Sequence, residues 1–224
     1  MNEARAPRGT LNRIAKELRA HAPFSLLGAL MGIAIMAAVL LARVPSESMQ
    51  PVFSSLHALH VLLSAVVTTG LYRRYRSNLV YAVLIGLGGA IVIATISDVL
   101  FPHHGGALVL RVTGGDAGHM HLHLAVIDHW YLVVPAALIG VAIGIKWPFT
   151  KISHAGHVLL SVWASLFYII AFSSPEVIWL PRLPLVLGVL FIAVWVPCCV
   201  SDIVFPMLFV KDGDEWEEPC CGKH

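Results

Sequence analysis

Six long apolar stretches, separated by short polar ones, constrain this chain more than any other feature. They run over residues 24–42, 53–72, 79–101, 126–146, 154–172 and 180–210. A helix needs about 20 apolar residues to cross the hydrocarbon core of a bilayer. A backbone in lipid must also satisfy its own hydrogen bonds, which helices do. The pattern therefore predicts an all-α membrane protein with six transmembrane helices. Composition agrees: 58% of residues are hydrophobic and only 12% charged, against about 25% charged in soluble domains. The mean hydropathy is +0.79. A net charge of +2 offers no basic surface for nucleic acid, so the expected partners are the lipid bilayer and small ions.

The charges fix an orientation. Placing the N-terminus inside puts Arg5, Arg8, Arg13, Lys16, Arg19, Arg73, Arg74, Arg76, Lys146, Lys151, Lys211 and Lys223 on the inner side. Only Arg43, Arg111 and Arg182 fall outside. Excess Lys and Arg mark cytoplasmic segments, so both termini are expected in the cytoplasm, in a bacterial inner membrane. Residues 1–22 lack the apolar core of a signal peptide. Leu11, Ile14 and Leu18, interleaved with Arg13, Lys16 and Arg19, suit a basic amphipathic helix on the membrane surface. The expected division is 1–22 as that segment, 23–101 and 126–210 as two membrane units, 102–125 as a His-rich outer loop, and 211–224 as an acidic Cys/His tail.

The two membrane units repeat each other. "HALHVLLSA" from His57 returns as "HAGHVLLSV" from His154, with seven of nine residues identical. "SDVLFP" from Ser97 returns as "SDIVFP" from Ser201. His21, eleven residues before Gly32, parallels His129, eleven before Gly140. The matches keep their order, at offsets of 97, 104 and 108 residues. Because each unit holds three crossings, the second enters the membrane inverted. Inverted-topology repeats of this kind frame the central sites of many secondary transporters.

The repeated polar residues define the candidate site. Residues three apart share a helix face, so His57 pairs with His60 and His154 with His157. Asp98 is expected at the depth of His57 and His60 on the outer side and Asp202 near the cytoplasmic end of the sixth helix, each beside a serine, Ser97 or Ser201. The pattern predicts two His-His-Asp clusters, His57–His60–Asp98 and His154–His157–Asp202, one near each face. An intramembrane Asp costs about 2.5–3.5 kcal/mol on insertion scales and marks a functional position. Imidazole and carboxylate together suit Zn, Ni, Co, Fe or Cu. Further potential ligands are His103, His104, His119, His121, His123 and His129 around the outer loop, and Cys220, Cys221 and His224 in the tail.

Four functions compete at this level, the last a structural or assembly factor whose polar residues only join helices. The leading one is a proton-coupled transition-metal-ion transporter, or a metal-binding membrane protein, since protons and metals compete for imidazole. A membrane carrier using haem b or a quinone is the second, and a metal-dependent membrane enzyme the third. A homodimer is compatible with the small size. No P-loop, GxSxG or HExxH motif is present.

Overall fold

A computed structural model of the chain describes residues 6–75, 77–147 and 151–199, with side chains placed for 18, 19, 22–73, 77–147 and 156–197. Among the described residues eight α-helices carry the fold: α1 (Ala6–Leu41), α2 (Met49–Tyr75), α3 (Leu79–Thr95), α4 (Phe101–Val112), α5 (Ala125–Asp128), α6 (Trp130–Lys146), α7 (Lys151–Ala171) and α8 (Leu183–Cys199). The described residues contain no strand; a single β-bridge joins Met120 to Ser173. Among the described residues, four helical segments are long and apolar enough to cross a bilayer: Ala22–Leu41, Ser46–Arg73, Leu79–Val112 and Leu180–Pro197. Trp130–Lys146 and Gly156–Ala171 are shorter apolar helices. The outward surface is apolar, with Leu27, Val80, Leu84, Val92 and Leu108 all more than half exposed. Such a surface suits lipid contact and would be a liability in water.

The central helix is α2, which packs against α3, α6 and α7. That position explains its composition. Ser54, His57, His60, Ser64, Thr68 and Thr69 are all buried on it, and polar side chains inside a bundle are spared contact with lipid. The α6 helix approaches α2 through Gly140 and Gly144, a small-xxx-small spacing that lets two backbones touch. A Cβ at Gly140 would collide with the Leu62 carbonyl, and one at Gly144 would lie 2.7 Å from the Val66 carbonyl. The α7 helix runs antiparallel to α2. Phe53 meets Tyr168, and His60 meets His157; further along, a Cβ at Gly156 would touch Leu63.

The helix from Leu79 does not end at Phe101–Pro102. It passes through a π turn, Ile96–Leu100, and continues as α4 to Val112. A proline ring clashes with the carbonyl four residues earlier and lacks an N–H. The wider π turn absorbs both defects, so the helix goes on. The connection expected over 102–125 is therefore shorter, starting after Val112, and His103 and His104 sit on a helix instead of in a loop. The fourth apolar stretch is also interrupted: α5 stops at Asp128 and α6 begins at Trp130. His129 between them is non-helical (φ −125°, ψ 34°). At the other end, residues 6–22 form one continuous helix with α1, in place of a separate surface segment.

Candidate functional site

Helical spacing puts His57 and His60 on one face of α2, and the π turn swings Asp98 toward them. Both imidazoles reach the same carboxylate oxygen. His57 Nδ1 lies 2.9 Å and His60 Nδ1 2.7 Å from Asp98 Oδ2. The other oxygen, Oδ1, accepts from Ser97 Oγ and from Ser161 Oγ, each at 2.8 Å. Four donors from α2, the π turn and α7 thus converge on one carboxylate. All five residues are at most 1% exposed. The π turn also frees the Ser97 carbonyl, which accepts from Ser165 Oγ on α7 at 3.1 Å. A π turn inside a long helix often marks such a site.

This geometry settles which ring nitrogens face away. A carboxylate only accepts, so each Nδ1 carries its proton and Nε2 is the nitrogen that faces away. Histidines that bind metals are commonly held in this way, with the second nitrogen donating to a carboxylate. The Nε2 of His57 is buried and has no hydrogen-bond partner among the described residues. Phe53 stacks on that ring at 5.6 Å between centroids.

The sequence pattern put His157 in a separate cluster near the opposite face. It lies instead beside His60, with ring centroids 5.6 Å apart and planes within 1° of parallel. The two residues sit at the same height where the antiparallel α2 and α7 cross. His154 belongs to α7, but its side chain lies outside the described residues, as do Ser201, Asp202, Cys220, Cys221 and His224.

The remaining histidines divide between two places. His103 and His104 adjoin on α4, 5.0 Å between ring centroids. The His103 ring interacts with the backbone of His121, whose own Nε2 lies 3.2 Å from Ser174 Oγ. His119 ends a short 3-10 turn, Ala117–His119. His123 turns inward. Its ring stacks on Phe172 at 4.4 Å, its Nδ1 is 3.1 Å from Asp128 Oδ2, and His129 lies 5.3 Å away. Burial holds the His123 imidazole below the usual histidine range; Asp128 opposes that effect, while His129 and His57 add to it. The ring therefore stays neutral to a lower pH than an ordinary histidine.

Among the described residues, no group of three or more His, Cys, Asp and Glu side chains is arranged to hold a metal ion. At the buried cluster the reason is plain: Asp98 Oδ2 is taken by the two imidazoles. Asp98 thus orients the histidines, and any ligation that leaves the cluster intact goes through Nε2. Ser161 and Ser165 are the participants that sequence reasoning missed. A signal existed for Ser161, because it is one of the residues shared by the two nine-residue copies.

Replacing Ser161 with alanine removes a hydrogen bond to a buried charge. The expected loss is about 1.5–3 kcal/mol, against about 1 kcal/mol for Ser165→Ala, whose acceptor is a neutral carbonyl. Thermal unfolding of the two purified variants in detergent checks that order.

Comparison with protein-family models, with curated proteins and with solved structures finds no match to this chain.

Proposed function

We propose that this protein is a transition-metal-ion transporter of a bacterial inner membrane, in which the metal exchanges with protons at the His57–Asp98–His60 cluster. The observation that carries the reading is the unpartnered, fully buried Nε2 of a carboxylate-oriented histidine. A cluster serving only to join helices would be expected to use all its polar atoms, because an unmet buried polar group is costly. Nε2 must be unprotonated to ligate, so metal arrival displaces protons and metal departure restores them. Asp98 supplies the negative charge that any cation, metal or proton, needs at this depth.

An inverted repeat fits the same reading. α3 begins at Leu79 and α8 at Leu183, the 104-residue offset that also relates Ser97 to Ser201. Under that relation α1, α2 and α3 correspond to α6, α7 and α8. The packing pairs then match: α2 with α3 and α7 with α8, α1 with α8 and α6 with α3, α1 with α7 and α6 with α2. The pseudo-twofold axis would pass between His60 and His157. Sites at the interface of inverted repeats are where transporters bind their cargo.

Reconstitution into sealed vesicles tests the proposal. Zn²⁺, Ni²⁺ or Co²⁺ flux, followed with a trapped metal-sensitive dye, should be present for the native chain and absent for His57→Gln combined with His60→Gln. Equal flux through both proteins sinks the idea. A Soret band in protein purified with haem available would favour the haem b carrier instead.

A further inference from the structure

We propose that His123 and His129 form a second cation site, distinct from the buried cluster, in the connection between α4 and α6. It rests on the proposed function only for the class of cation, a divalent transition metal.

Three observations support it. First, the rings have the spacing of two imidazoles on one ion. With metal–nitrogen distances of about 2.0–2.1 Å and tetrahedral angles, ring centroids fall about 5 Å apart; here they are 5.3 Å apart. The ring planes are inclined by 53°, so the rings are not stacked face to face. Second, His123 repeats the arrangement of His57. Its Nδ1 faces a carboxylate, Asp128 Oδ2, at 3.1 Å, and its Nε2 is buried without a hydrogen-bond partner among the described residues. His129 uses Nδ1 toward Tyr131 Oη at 3.1 Å, which leaves its Nε2 as the second ligand. Third, the position is shaped by main-chain contacts that do not depend on the imidazoles. Tyr168 Oη accepts from the His123 N–H at 3.0 Å, and His121 N–H donates to the Phe172 carbonyl at 2.8 Å.

Phe53 keeps the two sites apart. Its ring lies 6.5 Å from His123 on one side and 5.6 Å from His57 on the other. Tyr168 and Phe172 back it at 5.3 and 5.4 Å. An ion on His123 and His129 is thus separated from the buried cluster by an aromatic wall. Asp128 is 47% exposed at its side chain and His123 22%, so the carboxylate edge of the site reaches solvent while His123 Nε2 itself is buried. In the proposed topology it faces the outside and acts as the capture point for the ion.

The test is Zn²⁺ binding to the purified full-length protein in detergent, by equilibrium dialysis and elemental analysis. His123→Gln combined with His129→Gln should remove one Zn²⁺ per chain and leave the rest. His57→Gln with His60→Gln should do the complementary thing and spare the His123 site. Asp128→Asn, a change at a half-exposed residue that should not disturb folding, should weaken the site by about 10–100-fold, because it removes the negative charge facing His123 Nδ1; Asp128→Glu should restore it. Unchanged Zn²⁺ binding in both the double histidine variant and Asp128→Asn overturns the proposal. Loss in those variants, with no loss in the His57/His60 variant, leaves this site standing and overturns the transport site instead.

Discussion

Asp98→Ala is expected to be the most damaging single substitution in the protein, while Asp98→Asn should fold. The alanine variant strips the common acceptor from His57, His60, Ser97 and Ser161 at once. These donors lie on α2, the π turn and α7, so three segments lose their shared polar anchor. Removing one partner from a buried charged network costs about 3–5 kcal/mol. Native yield after detergent extraction, read from size-exclusion profiles, should collapse. Asparagine behaves differently because of hydrogen-bond directionality. Its oxygen can accept from the two imidazoles while its NH₂ group donates to the two serine hydroxyls, which accept as readily as they donate. The fold therefore survives, but the negative charge is gone. Zn²⁺ affinity at the cluster should fall by about 10–100-fold, and flux with it. Native flux in Asp98→Asn would show that the carboxylate has only a structural task.

Gly140→Leu and Gly144→Leu should separate α6 from α2 and destabilise the bundle without touching any histidine. The obstacle at both positions is a main-chain carbonyl, Leu62 or Val66, which no rotamer change can move aside. Overpacking typically costs about 1–3 kcal/mol, and a backbone obstacle puts these variants at or above the upper end. Thermal unfolding midpoints in detergent check this. Gly88→Ala is the matched control, since nothing lies within 4 Å of its Cβ position. That change should raise stability by about 0.5–1 kcal/mol through helix propensity. If Gly140→Leu unfolds no earlier than the native chain, the close α2–α6 contact is not what holds the bundle.

Much of the site was legible because its information is local. His57 and His60 share a face by helical spacing alone, and an Asp in an apolar stretch demands a partner nearby. The same reasoning failed after Phe101, where the loop expected over 102–125 begins as helix, carried past Pro102 by a π turn. Nothing in local sequence distinguishes those outcomes, since the turn is stabilised from outside by Ser165 on α7. Ser161 was visible as the counterpart of Ser64 in the two nine-residue copies, but only its distance to Asp98 gives it a task.

What the sequence by itself determined is the helical class, the apolar stretches and the pairing of histidines on one face of α2. These follow from hydropathy and a 3.6-residue period, which act over a turn or two of chain. The tertiary structure alone decided that His157 joins His60, that Ser161 completes the Asp98 cluster, and that His123 meets His129 behind Phe53. Each of these depends on the height at which antiparallel helices cross or on how a connection folds back. Side-chain packing between distant segments sets those heights, and no local pattern in the chain encodes them.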